Sequence, residues 1–181
     1  EVGATDLAIA LASAIEIAEP HTRGRATVDR QVEGLPHARG QERALVQVFV
    51  NLIVNSAQAL PEERTAENRI TVSAGRRDEW LVVEIRDNGR GIPGEILPRV
   101  GEPFFTTKPI GEGTGLGLAV SKSLIRTIGG KLELESEPGR TVARVLLPIA
   151  GDQPPPAPQL VRSIDPIAAV LSGLRILIVD D

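Results

Sequence analysis

The stretch QVFVNLIVNSAQAL, Gln47 to Leu60, decides how the chain is read. Apolar residues recur at helical spacing from about Gln41 to Leu60, and Pro61 closes the run, so the spacing predicts a helix. Gln47, Asn51 and Asn55 stand four apart and form one ridge along it, while Val48, Phe49, Leu52, Ile53 and Leu60 cover much of the rest. An amide in such an apolar helix costs about 1 to 3 kcal/mol if left unpaired. One isolated Asn would be explained by a core hydrogen bond or a solvent-facing stripe. Two in register, beside the motifs below, favour a ligand, and a side-chain carbonyl oxygen suits hard Mg²⁺, which takes oxygen donors and keeps waters and phosphate oxygens.

Downstream, the strand end IRDNGRGIP places Asp87, Asn88, Gly89, Gly91, Ile92 and Pro93 together. A carboxylate at the mouth of a strand, followed by glycines that admit a ligand to the backbone, can accept a hydrogen bond from an exocyclic amine. The same letters also spell a common turn, so this motif is weak alone. Next comes GEPFFTTKPIGEGTGLGLAV, Gly101 to Val120, where Gly111, Gly113, Gly115 and Gly117 alternate just before helical spacing resumes at Leu116 and Leu118. Backbone N–H groups at a helix start, with the positive end of its dipole, suit phosphate, and Lys108 could add charge. Neither G-x-G-x-x-G nor G-x-x-x-x-G-K-[ST] fits these residues, which excludes the usual dinucleotide and P-loop fingerprints. A flexible linker does not normally run into an amphipathic helix.

Around these sites the remaining elements follow. Asp6 can cap a helix from Leu7 that stops at Pro20, and Arg25 to Val32 alternates as a strand, with a turn at Gly34 and Pro36. Arg69 to Ala74 and Trp80 to Ile85 pair antiparallel around a turn at Gly75 to Asp78. Leu116 to Ile128 is a helix ended by Gly129 and Gly130, and Lys131 to Ser136 with Thr141 to Leu147 makes a hairpin across Pro138 and Gly139. From Ala150 to Pro158 proline is dense, so the expected organisation is a domain over 1–149, a linker over 150–173 and a further strand over 174–181.

Composition narrows the class. The 181 residues carry 41% hydrophobic but only 2% aromatic residues, so the core is aliphatic and a base-stacking nucleic-acid surface is not expected. A formal charge of −4 without long charge blocks argues against polyanion binding, leaving phosphate recognition local. The absence of Cys removes disulfides and thiolate chemistry, and two His do not suggest a metal site. No apolar run approaches the ~18 residues of a membrane span. The chain opens on Glu1 and stops at Asp180 and Asp181 straight after an apolar strand, which reads as a piece of something longer, cytoplasmic and without direct membrane contact.

In order and type, the three sites resemble the N box, the G1 box, and the F and G2 boxes of histidine kinase catalytic domains, in the ATPase superfamily shared with DNA gyrase, heat-shock chaperones and mismatch-repair proteins; the resemblance covers roughly Asp6 to Ile149. Phe104, Phe105, Thr106, Thr107 and Lys108 point to the kinases. The resemblance implies the α/β (α+β) Bergerat fold, a two-layer sandwich of three helices on a mixed five-stranded sheet, with ATP between the Asn-bearing helix and a mobile lid over about Glu95 to Thr114. By the same carry-over Asn55 is the Mg²⁺ ligand, Asn51 lies near the phosphates, Asp87 holds adenine N6, and Gly89, Gly91 and Ile92 shape that pocket. Gly113, Gly115 and Gly117, with Leu116 and Leu118 between and after them, wrap the phosphates; Lys108 is a phosphate contact and Thr114 a weaker one. Where gyrase-like hydrolases carry a water-activating Glu, this chain has Asn51, an amide that cannot act as a base, so the resemblance implies phosphoryl transfer to a histidine with Asn51, Asn55 and Lys108 as the catalytic set. An ATP-gated clamp or hydrolase of the same superfamily is the runner-up, and a degenerate scaffold the third reading.

The family's phosphoacceptor belongs to a dimerisation domain, on a helix where His precedes Glu or Asp. Here His21 precedes Thr and His37 precedes Ala, both outside any convincing helix, so the acceptor is expected on a separate part of a homodimeric parent. Gln58 departs from those kinases that place a basic residue three positions after the metal Asn, which puts more of the phosphate charge on Lys108 or Arg. The tail LRILIVDD resembles the opening strand of a response-regulator receiver with its acidic pair, Asp180 and Asp181, implying a hybrid kinase whose partners include a receiver domain.

Overall fold

The Asp6 carboxylate accepts hydrogen bonds from the N–H groups of Ala8 at 2.8 Å and Ile9 at 3.2 Å and so starts α1 (Leu7–Thr22) as expected. The computed structural model describes residues 3–32, 34–108 and 113–151; all but the first two residues of the expected linker, the strand expected over 174–181, and Gly111 lie outside them. Pro20 does not end α1, because a proline in the last turn forfeits only one N–H, and the turn closes through Arg23 N–H on the Glu19 carbonyl at 2.8 Å. His21 therefore lies on a helix after all, exposed in that last turn.

Among the described residues there are seven strands, five of them where the periodicities put them and two too short to read from sequence. β1 (Ala4–Thr5) and β3 (Ala38–Arg39) form a small antiparallel ribbon. β2 (Thr27–Val32), β4 (Arg69–Arg77), β5 (Trp80–Asp87), β6 (Lys131–Glu137) and β7 (Arg140–Pro148) make the main sheet in the order β2-β4-β5-β7-β6. Only the β2 to β4 pairing is parallel, so the sheet is mixed as expected. β4 runs on through Gly75 to Arg77, and the turn sits at Asp78, whose φ of 54° supplies the left-handed residue a tight hairpin needs.

α2 (Glu42–Ala59) lies on the sheet between α1 and α3 (Gly117–Thr127), giving the helical layer. Leu45, Val48, Phe49, Leu52, Ile53 and Ala57 of α2 are buried against Ile70, Val72, Leu81, Val83 and Ile85 of β4 and β5. That single apolar stripe fixes the rotation of α2 about its axis. The ridge of Gln47, Asn51 and Asn55 is left off that stripe, and its Asn51 and Asn55 meet Gly117 and Lys108 of the glycine-rich stretch. Asn68, buried, ties the layers by donating to the carbonyls of Arg25 at 2.9 Å and Pro61 at 2.8 Å.

Candidate functional site

The α2 ridge is where the distant motifs meet. The Asn51 side-chain amide donates to Ser121 Oγ of α3 at 3.0 Å, and Asn55 Nδ2 donates to Asn51 Oδ1 at 3.4 Å, so each amide is oriented by a neighbour. Lys108 Nζ reaches Asn55 Oδ1 at 3.4 Å and also donates to Gln58 Oε1. Gly117 leaves room for the Asn51 amide: a Cβ would lie 2.3 Å from Asn51 Oδ1 and push that side chain aside. At Gly113 a Cβ would meet Thr106 Oγ1 at 2.8 Å and Lys108 Cδ at 3.0 Å. Asn51, Asn55, Lys108, Gly113 and Gly117 thus form one cluster.

Asp87, at the end of β5, is tied to the next turn of α2. It is 3% exposed, and its carboxylate accepts the Gly89 N–H at 3.0 Å and the Ser56 hydroxyl. Burial pushes its pKa above the ordinary carboxylate value, with the two donors only partly offsetting the lost solvation. Gly89 passes so near that a Cβ would sit 2.7 Å from the Ala59 carbonyl, which also receives the Arg90 N–H at 3.2 Å. Asn88 is a structural clamp, accepting from Arg69 N–H at 2.8 Å and donating to the Glu67 carbonyl at 2.9 Å.

Gly91 and Ile92 turn instead to the β6–β7 hairpin. Gly91 has φ +75° and a Cβ would lie 2.3 Å from the Glu137 carbonyl, while Ile92 N–H donates to Ser136 Oγ at 2.8 Å. Gly115, at φ +65°, is packed against the Phe104 backbone, whose N–H donates to the Gly115 carbonyl at 3.1 Å. Phe104 also has positive φ, 67°, and is 74% exposed. Thr114 Oγ1 accepts the Leu116 N–H at 3.3 Å. No side chain caps α3 at Leu116, so its first-turn N–H groups have no side-chain acceptor there. Leu118 packs partly against the core.

Of the expected lid, residues 95–108 and 113–114 are described and 109–112 are not. The described part is tied to the helices by Lys122 Nζ of α3, which donates to the Val100 carbonyl at 2.8 Å, and by its own Lys108 Nζ on α2, while within it the Arg99 guanidinium lies 4.4 Å from the Phe105 ring centroid. Two open grooves border the cluster without coinciding with it. One of about 540 Å³ runs along α1 and α2 beside Ile17, Val50 and Asn51. The other, about 520 Å³, lies at the end of α2 beside Gln58, Pro61 and Arg90.

Ser56, Ser121 and Ser136 are not legible as site residues in the sequence, although each contacts one that is, and Gln58, noted there only for lacking a positive charge, proves to accept from Lys108. Gln58 carried a signal, its place one turn after Asn55, whereas Ser56 is a buried residue of α2.

A family model described as histidine kinase-, DNA gyrase B-, and HSP90-like ATPase matches residues 40–151, more than half of the chain. The two-component sensor PprA of Pseudomonas aeruginosa is 42% identical over 115 residues, covering 62% of this chain and 12% of PprA. The sensory histidine kinase/phosphatase NtrB of Rhizobium leguminosarum bv. phaseoli is 38% identical over 130 residues, 65% of this chain and 33% of NtrB. The chain therefore spans a third or less of the length of these relatives. The solved mycobacterial sensor histidine kinase MprB superposes with a TM-score of 0.72 at 24% identity, over 82% of this chain and 98% of that one, a likeness of fold.

Proposed function

This chain belongs to the histidine kinase-, DNA gyrase B-, and HSP90-like ATPases, and from that premise we propose that it binds Mg·ATP and passes the γ-phosphoryl group to a histidine of a separate dimerisation domain. The observation that carries the proposal is the cluster on the α2 ridge, where two mutually oriented amides meet Lys108 and the glycines at the start of α3.

Asp87 is the adenine reader. Its carboxylate is fixed by Gly89 and Ser56 and, ionised, still has lone pairs for an exocyclic amine. Gly89, Gly91 and Ile92 hold the chain after β5 close to α2 on one side and the hairpin on the other, shaping that pocket. Gly113, Thr114, Gly115, Leu116, Gly117 and Leu118 form the phosphate-facing turn into α3.

Asn55 Oδ1 fits a magnesium ligand, being a hard oxygen that already faces a cationic group. Among the described residues no group of three or more His, Cys, Asp or Glu could hold a metal, and phosphate oxygens and water would be the other ligands of an ion held by Asn55. A metal bound there neutralises charge on the phosphates. Asn51, one turn earlier, orients Asn55 and cannot take a proton from water, which favours transfer to a histidine nitrogen over hydrolysis. Lys108 supplies the charge that Gln58 lacks.

The parent is proposed to be a homodimeric, cytoplasmically exposed hybrid kinase: the catalytic module over 1–149, the linker over 150–173, and the start of a receiver over 174–181. No helix of the described residues is long and apolar enough to cross a membrane.

Calorimetric titration with a non-hydrolysable ATP analogue, with and without Mg²⁺, tests binding. Incubation with labelled ATP and the parent's dimerisation domain as a separate polypeptide tests transfer, with acid-labile phosphohistidine as the expected product. Rapid ATP turnover without an acceptor points to a hydrolase, and no binding points to a scaffold.

A further inference from the structure

The lysine at the end of the FFTTK segment stands where the metal is expected. Lys108 Nζ is hydrogen-bonded to Asn55 Oδ1 at 3.4 Å and to Gln58 Oε1, two carbonyl oxygens three residues apart on one face of α2. The cation is aimed from behind as well. Lys108 N–H donates to Thr106 Oγ1 at 3.1 Å, forming a tight turn, and the backbone at Gly113 lies against the stem, where a Cβ would be 3.0 Å from Lys108 Cδ. An ammonium held by a turn, a packed stem and two carbonyl oxygens is a seated cation, not a surface lysine in water.

Resting on the reading of Asn55 as the metal ligand, we propose that Gln58 is a positioning residue that seats the Lys108 ammonium on Asn55 as a resident cation, which loading of the metal–nucleotide complex displaces. One carbonyl oxygen cannot serve an ammonium and a divalent ion at contact distance together, because the two charges repel. While the site is empty the seat holds the Asn55 carbonyl toward the ammonium, and on loading it releases a positive charge beside the turn into α3. Gln58 sets how readily that exchange happens. Its neutral carbonyl binds the ammonium less tightly than a carboxylate would and more tightly than an apolar side chain.

The test is titration of the whole chain with a non-hydrolysable ATP analogue over a range of Mg²⁺ concentrations, for the wild type, Gln58→Glu and Gln58→Leu, each also in a Lys108→Met background. The Mg²⁺ concentration giving half the gain in affinity is expected to rise about tenfold in Gln58→Glu and to fall several-fold in Gln58→Leu, with both shifts gone once Lys108 is Met. A second readout needs neither metal nor nucleotide. The chain has three lysines, Lys108, Lys122 and Lys131, so trace acetylation followed by peptide mapping compares Lys108 with two internal references. Lys108 is expected to label faster in Gln58→Leu and more slowly in Gln58→Glu.

Shifts that persist in the Lys108→Met background, a lowered Mg²⁺ requirement in Gln58→Glu from a new metal ligand, or Lys108 labelling indifferent to Gln58 would each overturn the seat. If the wild type binds the analogue in a Mg²⁺-dependent way while the Gln58 variants are silent in both readouts, only the seat falls. If the wild type shows no Mg²⁺ dependence at all, the metal role of Asn55 fails and the seat with it.

Discussion

Asp87→Asn separates what the site does from what the fold needs, because the two are expected to move in opposite directions. The substitution keeps the shape of a side chain that is 3% exposed but turns one acceptor oxygen into a donor NH₂. The Gly89 N–H, 3.0 Å away, and the Ser56 hydroxyl already occupy the carboxylate, and the remaining oxygen takes Gly89 most simply. The NH₂ then faces the adenine amine, donor against donor. Losing a hydrogen bond to a charged acceptor costs about 1.5 to 3 kcal/mol, or roughly 10- to 150-fold in affinity for an ATP analogue.

Stability is expected to move the other way. Burial raises the folded-state pKa of Asp87 above the unfolded value, so the favourable contribution of its protonated form is present at low pH and is lost as pH rises through the folded pKa. At neutral pH the wild type bears the cost of a buried charge that Asn does not. The variant should therefore unfold at a higher temperature than the wild type at pH 7, with the gap closing as pH falls into the ordinary carboxylate range. Calorimetric titration and thermal unfolding across pH measure both. Wild-type affinity in a well-folded variant would remove Asp87 from the adenine pocket, and a pH-independent stability gap would refute the burial account.

Three further outcomes follow from the packing. Gly117→Ala places a Cβ 2.3 Å from Asn51 Oδ1, so Asn51 must swing off Ser121, and analogue affinity should drop at least about tenfold with little change in unfolding temperature. Gly91→Ala meets a backbone carbonyl at 2.3 Å in a φ +75° conformation, so it should cost at least about 2 kcal/mol, read as a fall in unfolding temperature of about 5 °C or more. Glu84→Gln weakens the pairing with Arg144, 2.8 Å away, by about 1 kcal/mol at pH 7. The Arg144 hydrogen bond holds the Glu84 pKa below its ordinary value, so this stability exists above the unfolded pKa and is lost as pH falls through the folded one; chemical denaturation of wild type and variant should converge in acid.

Much of the helical layer was legible because its periodicities are long. The apolar residues of α2 recur over five turns, and Gly129 and Gly130 stop α3 as a C-terminal signal should. The β1–β3 ribbon carried no pattern, since two residues cannot show a period of two. Pro20 misled because a proline near a helix end removes a single hydrogen bond, which tertiary packing of Leu11, Ala14 and Ala18 outweighs.

For the site, residue types were legible and their partners were not, and the glycines show why. Gly113, Gly115 and Gly117 alternate in sequence as if performing one task, yet each is glycine for a different neighbour: the Lys108 stem, the Phe104 backbone and the Asn51 amide. Those neighbours lie up to sixty-six residues away along the chain, so no local pattern could pair them. The result is a loop whose three close contacts set the positions of Lys108, the FFTTK segment and Asn51 relative to one another. Substituting any one of these glycines therefore displaces a different member of the same cluster, which is why a motif that looks like flexibility in sequence acts as a spacing device in the fold.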